Sequence, residues 1–272
     1  MRSNNVLGFI FAATLDDKIP ELASSRTTAS VPIGGKYRII DFDLSNMSNS
    51  GISNVGIVAK SNFQSLMDHV GSGSAYDLSK RRSNLSILPP YDGKAFSSFV
   101  ETIYNMHGYI EHCREEYVLI SQGNVITNID YTDVFDFHSK KKADITLIYK
   151  NHAIPQGYDR PITLDVDNDG KVNQIFVKPG VVDKGVFNHA YGSILIKKDL
   201  LMSEIRNAIS VNQLDVRRLI QSSLGKYSIY AYENKGYCAA ISSINDYFEF
   251  NMDLMKKEVR DELFNPQRPI YT

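Results

Sequence analysis

"PIGGKYRIIDFDLSNMSNSGISNVGIV", residues 32 to 58, is the stretch of this sequence that decides the fold. Within it, residues 43–51 predict a short helix that ends at Gly51, because glycine readily adopts the left-handed backbone conformation that commonly closes a helix. Residues 54–59 then predict a buried strand, and the apolar run at 6–12 predicts the first strand of the chain. Short strands that alternate with helices indicate a largely parallel α/β sheet.

The rest of the chain continues this alternation and adds hairpins in its second half. Outside the opening stretch we predict helices over 61–73, 98–113, 132–143 and 243–264, strands over 116–124 and 144–150, and hairpins over 162–180 and 227–242. The last helix is amphipathic, so we expect its apolar side to pack into the core rather than to form an interface. The sequence therefore predicts a doubly wound, mostly parallel α/β sheet with a small β-hairpin subdomain.

The composition is that of an ordinary globular protein and excludes several classes of function. Of 272 residues, 43% are hydrophobic and 22% are charged, and the net charge of −1 is not the electrostatic signature of a protein that binds nucleic acid or an anionic membrane. Cys113 and Cys238 belong to no Cys-x-x-Cys pattern, which argues against a zinc site or a disulfide framework. No window of about eighteen apolar residues exists, and the run at 6–12 is too short for a signal peptide, so we expect a cytoplasmic protein.

The loop after the first predicted strand lacks the residues that a nucleotide-binding loop needs. It reads "AATLDDK", residues 12–18, and contains two adjacent aspartates but no glycine. In nucleotide-binding α/β folds this loop is rich in glycine, so that backbone N–H groups can approach a phosphate. The scaffold therefore predicts a nucleotide site, whereas the loop argues against one.

Five stretches of the chain resemble the ADP-glucose pyrophosphorylases, the glucose-1-phosphate adenylyltransferase family. They occur in that family's order and are 32–51, 65–78, "LPPY" at 88–91, "VKPG" at 177–180 and "DYFEFNMDL" at 246–254. The resemblance implies the fold of the nucleotide-sugar pyrophosphorylases, with a nucleotidyltransferase domain over 1–264. It also implies that 265–272 begin a linker to a C-terminal β-helix domain that is absent from this chain. Members of the family make ADP-glucose and pyrophosphate from ATP and glucose 1-phosphate.

The resemblance also identifies which residues stand at the triphosphate-binding positions. The family has a loop of the pattern A-G-G-x-G-x-R-L, whose glycines become Ala13, Thr14 and Asp16 here and whose arginine becomes Lys18. The lysine of a following R-A-K-P motif becomes Thr28. A Cβ blocks close backbone approach, and a carboxylate about 4 Å from a phosphate costs roughly 4 kcal/mol at an effective dielectric of about 20. We therefore expect a solvated surface loop that does not bind triphosphate in the family's way.

The metal-binding positions of the family are altered as well. Its Gly-Asp at the end of the strand at 116–124 becomes Gly123-Asn124, and its second metal aspartate becomes Ala240. Phosphoryl-transfer sites hold Mg²⁺ through one or two carboxylates together with the substrate phosphates. The resemblance therefore implies that no residue of this chain is catalytic or binds metal, and that Mg²⁺ is required only by an active partner subunit.

The sugar-phosphate side is less altered. Lys178 stands where the family has the lysine of E-K-P, although the glutamate before it is Val177. The serine expected just before Gly192 is Ala190. Lys178 is thus the candidate for binding a sugar phosphate or another anion, and the alternative is a solvated lysine on a hairpin.

Three functions remain open at this stage. The first is a regulatory subunit, inactive alone, that modulates the catalytic subunit of ADP-glucose pyrophosphorylase in glycogen synthesis. The second is an active glucose-1-phosphate adenylyltransferase that uses Asp16, Asp17 or Lys18 in unconventional roles. The third is a sensor that binds a phosphorylated sugar or a nucleotide effector around Lys178.

Overall fold

The computed structural model of the protein describes residues 3–13, 16, 18–60, 62–79, 84–89, 98–153, 161–177 and 185–272. Strands and helices alternate along the chain, as predicted. The strands are β1 (Val6–Phe11), β2 (Pro32–Ile33), β3 (Tyr37–Arg38), β4 (Asn54–Val58), β5 (Asn84–Leu88), β6 (Tyr117–Ser121), β7 (Val125–Thr127), β8 (Ile145–Ala153), β9 (Ile162–Val166), β10 (Val172–Val177), β11 (Val186–Lys197), β12 (Ile229–Glu233) and β13 (Cys238–Ala240). The helices are α1 (Pro20–Ala23), α2 (Ile39–Asn49), α3 (Gln64–Val70), α4 (Phe99–Asn105), α5 (His107–His112), α6 (Tyr131–Lys141), α7 (Lys198–Ser210), α8 (Val216–Ser222), α9 (Ile244–Asp253) and α10 (Lys257–Leu263).

The chain divides into two compact units, each assembled from separate segments. The first unit comprises Met1–Leu7, Pro90–Leu119 and Asp133–Glu233, and the second comprises Gly8–Pro89, Ile120–Thr132 and Asn234–Thr272. The prediction of one nucleotidyltransferase-like domain over 1–264 is not tested by this division and stays a prediction.

The second unit contains the stretch from which the fold was predicted. Strands β6, β1, β4 and β5 are neighbours in this order in the nine-stranded sheet of the described residues, and β4 runs parallel to β5 with Asn54 opposite Asn84. Helix α2 includes the predicted 43–51 segment, begins earlier at Ile39, and is followed by Gly51 at a φ of +77°. The helix is buried along most of its length, because strands and loops of this unit cover it. The predicted α/β fold with a mostly parallel sheet is thereby confirmed.

The first unit contains the predicted hairpin subdomain. Strands β9 and β10 pair antiparallel around a turn at which Gly170 has a φ of +84°. The second predicted hairpin, over 227–242, is wrong: β12 pairs parallel with β8, and β13 pairs antiparallel with β7. The two strands of that segment were predicted to pair with each other because they are close along the chain. In the structure each belongs to a different sheet.

Two long predicted helices are each interrupted. The 98–113 segment forms α4 and α5, which meet at Met106. The 243–264 segment forms α9 and α10, and Lys256 between them has an extended backbone with a ψ of 131°. Apolar periodicity continues across both interruptions, so the pattern alone predicted single helices. Among the described residues, no helix is long and apolar enough to cross a membrane.

The last eight residues pack within the second unit. Arg268 forms an ion pair with Asp130 at 2.8 Å, and the Tyr271 backbone N–H donates to Ser45 Oγ at 2.8 Å. Ile270 is buried in the same hydrophobic core as α2. The prediction that 265–272 lead into a further domain is untested, but this segment is itself fixed by side-chain contacts.

Candidate functional site

The candidate site of the second unit lies where β1 ends and the turn after β6 begins. Gly123 in that turn has a φ of +65°, a conformation that favours glycine. A Cβ at Gly123 would lie 2.5 Å from the carbonyl oxygen of Phe11 and 3.2 Å from the Cα of Ala12. Only glycine allows this close approach, which brings the turn against the start of the loop that would bind triphosphate in the family.

The structure brings the two predicted metal positions together. Strand β13 pairs with β7 so that Ala240 lies opposite Val125, the residue after Asn124. The next residue, Ile241, donates its backbone N–H to the Asn124 carbonyl at 2.9 Å. Asn124, the residue before β7, and Ala240, the last residue of β13, are therefore brought close together, although they are more than a hundred residues apart in sequence.

These residues do not fit a magnesium ion. Asn124 is buried, and its side-chain amide donates to the Ile241 carbonyl at 3.2 Å. The amide oxygen of Asn124 accepts no hydrogen bond from the part of the chain that the structure describes, and Ala240 offers only a methyl group. One neutral oxygen cannot replace the carboxylates that hold Mg²⁺ in phosphoryl-transfer sites. Nor do the described residues contain any cluster of three or more His, Cys, Asp or Glu side chains that could hold a metal ion.

The loop after β1 is held by one of its own carboxylates. The Oδ1 atom of Asp16 accepts hydrogen bonds from both the backbone N–H and the hydroxyl of Thr28, each at 2.7 Å. Thr28 is fully buried and opens a short 3₁₀ turn over Thr28–Ser30. The expectation that Asp16 is a solvated surface carboxylate is therefore wrong, because this half-buried side chain satisfies two buried donors.

Of the remaining predicted positions, two lie within the described residues and three lie outside them. Ala13, two residues after β1, is half-buried, and Lys18 is exposed. Thr14, Asp17 and Lys178 lie outside the described residues, so their predicted roles stay predictions. The pairing of Asp16 with Thr28 had no signal in the sequence, because twelve residues separate them and neither belongs to a periodic element.

We expect Asp16→Ala to destabilise the fold by about 1–3 kcal/mol, because it leaves the buried N–H and hydroxyl of Thr28 without this acceptor. Urea unfolding at neutral pH would measure the change. Asp16→Asn is the matched control: its amide oxygen can accept the same two hydrogen bonds without a charge, so it should lose about 1 kcal/mol or less. Equal stability of Asp16→Ala and the parent chain would show that the contact does not hold the loop.

Sequence reasoning missed a buried acid beside the same turn. Asp43 lies within α2 and is 3% exposed, and its Oδ1 accepts a hydrogen bond from Ser121 Oγ at 2.5 Å. Burial raises the pKa of Asp43 to about 7, although the hydrogen bond from Ser121 opposes that shift. A helix predicted to begin at 43 placed this aspartate at an exposed N-terminus. Because α2 begins at Ile39, the side chain lies one turn inside the helix instead.

Comparison with known proteins identifies relatives along nearly the whole chain. A family model described as "Nucleotidyl transferase" matches residues 17–256. A glucose-1-phosphate adenylyltransferase from Clostridium acetobutylicum is 30% identical over an alignment that covers 100% of this chain and 73% of the relative. One from Bacillus subtilis is also 30% identical and covers 98% of this chain and 71% of its own length.

The fold comparison agrees with the sequence comparison. A crystal structure described as that of a glucose-1-phosphate thymidylyltransferase from Bacillus anthracis superposes with a TM-score of 0.74 and covers 96% of this chain and 98% of its own. Its sequence identity is 12%, so this likeness concerns the fold alone. The residues at the phosphate and metal positions must therefore be interpreted from their own geometry.

Proposed function

We propose, from the premise that this chain belongs to the glucose-1-phosphate adenylyltransferase family of nucleotidyl transferases, that it is a regulatory subunit without adenylyltransferase activity of its own. It acts in the cytoplasm in glycogen biosynthesis. Its partner is the catalytic subunit of ADP-glucose pyrophosphorylase, which alone binds the ATP and Mg²⁺ that the reaction needs.

The observation that carries this proposal is the pairing of Asn124 with the strand that contains Ala240. The two positions that would supply anionic metal ligands lie side by side, and they present an amide and a methyl group. The scaffold that brings them together is retained even though the carboxylates are missing. A retained scaffold without its reactive groups favours a role in binding a partner over one in chemistry.

The loop after β1 supports the same proposal. Asp16 brings a negative charge into a segment that would have to approach a triphosphate, and its Oδ1 is already hydrogen-bonded to Thr28. Binding ATP there would require both the displacement of that contact and the approach of like charges, which disfavours it. The Asp16–Thr28 contact thus holds Asp16 in place without a ligand.

A regulatory subunit must change the kinetics of its catalytic partner, and a titration of the two subunits tests this. Titrated into the active subunit of its own host at fixed total catalytic sites, the chain should shift the apparent affinity for ATP, glucose 1-phosphate or an effector by about 5- to 150-fold, the usual range of allosteric coupling. Rates would be followed by pyrophosphate release, with an equal amount of bovine serum albumin as the control addition. Unchanged kinetics at saturating ratios, with no complex on a sizing column, would refute the proposal.

A further inference from the structure

The C-terminal segment, residues 265–272, is bound to the end of helix α2 by side-chain contacts. The segment itself forms neither a helix nor a strand. The Asn49 side-chain amide donates to the Pro269 carbonyl at 2.9 Å, and the Arg268 guanidinium donates to Ser50 Oγ at 3.1 Å. The segment therefore depends on individual hydrogen bonds to the helix rather than on regular backbone pairing.

Helix α2 also holds the strands on both sides of the site turn, residues 122–124. Before the turn, Asp43 accepts a hydrogen bond from the hydroxyl of Ser121 at the end of β6. After the turn, the buried side chain of Asn46 donates to the Thr127 carbonyl on β7 at 2.8 Å. A change in the position of α2 must therefore either break these bonds or carry β6 and β7 with it.

A second connection runs directly from the C-terminal segment to the end of β7. The Asn128 side-chain amide donates to the Arg268 carbonyl at 2.9 Å, and the Arg268 guanidinium donates to the Ile129 carbonyl at 2.8 Å. At the other end of β7, the carbonyl of Asn124 in the site turn accepts the backbone N–H of Ile241. The segment, α2 and β7 thus form one hydrogen-bonded unit that reaches the site turn.

The C-terminal segment has little buried apolar surface to hold it in place. Ile270 is the one buried residue among 265–272. The side chains of Arg268 and Asp130, which form the ion pair, are 20% and 33% exposed, so water and salt reach the pair. Segments with few buried apolar contacts open at a lower free-energy cost than core strands. The segment can therefore detach while the sheet stays folded.

We propose that the C-terminal segment is a conformational strap on α2. When it is attached, it holds the helix against β6 and β7 and keeps the site turn ordered. When it detaches, the helix and the site turn loosen together. A ligand that binds only one of these two states would shift the equilibrium between them. The inference does not rest on the proposed regulatory function, because it concerns how this chain moves on its own.

Amide hydrogen exchange of the full chain, measured by NMR, tests whether the segment and the turn open together. The Tyr271 N–H reports on the segment through its bond to Ser45, and the Ile241 N–H reports on the turn through its bond to Asn124. We expect the opening constants of these two amides to agree within about threefold and to exceed those of buried β4 at least about 10-fold. An Ile241 amide that opens as rarely as β4 would overturn the proposal.

Two substitutions loosen the strap to different degrees. Arg268→Ala removes the ion pair with Asp130 together with the bonds to α2 and β7, so it should raise the opening constants of both reporter amides by the same factor, at least about 10-fold. Asn49→Ala removes one neutral hydrogen bond and should raise both constants about 3- to 10-fold. An equal response of the segment and the turn is what a shared opening requires.

Matched controls come from the same unit. The Arg260 guanidinium donates to the Leu254 carbonyl at 2.7 Å, and the Asn251 side-chain amide donates to the Tyr247 carbonyl at 2.7 Å. These bonds are retained when the segment detaches, so Arg260→Ala and Asn251→Ala should leave both reporter amides unchanged.

Two results with the variants would overturn the proposal. In the first, Arg268→Ala accelerates exchange at Tyr271 but not at Ile241, which would show that the segment opens without the turn. In the second, Arg260→Ala accelerates Ile241 as much as Arg268→Ala does, so that the turn responds to any loss of stability in the unit. Circular dichroism would show whether the variants fold, and if Arg268→Ala does not, the milder Asn49→Ala decides the outcome.

Discussion

Assayed alone with ATP, glucose 1-phosphate and Mg²⁺, the purified chain is expected to release pyrophosphate at least about 10⁴-fold more slowly than an active relative, because each preorganised electrostatic group that is removed typically costs about 10²- to 10³-fold. In the proposed regulatory subunit two such groups are replaced, at Asn124 and Ala240, and the phosphate loop adds a third loss. The measurement is pyrophosphate release over hours, with the Bacillus subtilis relative assayed in parallel. The chain should be produced in a host that lacks its own adenylyltransferase.

A double variant distinguishes the effect of the missing metal-binding carboxylates from the effect of the altered phosphate loop. Asn124→Asp/Ala240→Asp returns both carboxylates to neighbouring positions while Asp16 stays hydrogen-bonded to Thr28. If the loop alone prevents triphosphate binding, this double variant remains inactive. If its turnover comes within about tenfold of the relative's, the loop is competent and our interpretation of Asp16 is wrong. Robust turnover by the unmodified chain would instead support the alternative of an active enzyme with unconventional residues.

The fold was largely predictable because its central elements carry local signals. The apolar runs at β1 and β4 and the Asn-Asp-Gly turn between β9 and β10 each specify one structure over a few residues. The pairing of β12 with β8 and of β13 with β7 has no such signal, since strand partners far apart in sequence are chosen by tertiary packing. The two strands of 227–242 were predicted to form a hairpin because they are close along the chain, but they do not pair with each other.

The candidate site was predictable only as far as positions could be matched to a family pattern. Matching assigned Asn124 and Ala240 to the family's metal positions, and the structure brings these two residues close together, whereas their roles stay predictions. Two side-chain contacts near these positions could not be matched. The Asp16–Thr28 contact and the Asp43–Ser121 pair involve residues far apart along the chain, and which groups they satisfy depends on burial that no sequence motif records.

Asp43→Asn is expected to stabilise the protein by about 2–4 kcal/mol at pH 8 and by much less at pH 4. The pKa of this buried carboxyl is raised from 3.8 to about 7, and a shift of this size corresponds to roughly 4 kcal/mol. Asparagine removes the buried charge, and its amide oxygen can still accept the hydroxyl of Ser121. Chemical unfolding of both proteins at several pH values between 4 and 8 would measure the difference.

The sign of this pH dependence follows from where each state of Asp43 loses its proton. Below about pH 4 the carboxyl is protonated in both the folded and the unfolded chain, so ionisation of Asp43 does not contribute. Between about pH 4 and 7 the unfolded chain ionises while the folded chain keeps its proton, so stability falls as the pH rises. Above about pH 7 both states are ionised, and the folded chain bears the full cost of a buried charge.

Asp261→Asn provides the control for this pH series. Its carboxylate is largely exposed and lies 3.8 Å from Lys257, a geometry that usually contributes less than about 1 kcal/mol. The Asp261→Asn difference should therefore stay small and nearly constant from pH 4 to 8, whereas the Asp43→Asn difference grows. A flat Asp43→Asn profile would mean that the carboxyl ionises in the folded chain much as it does in water. The folded chain would then bear the charge of Asp43 well below pH 7, which would contradict a pKa raised to about 7 by burial.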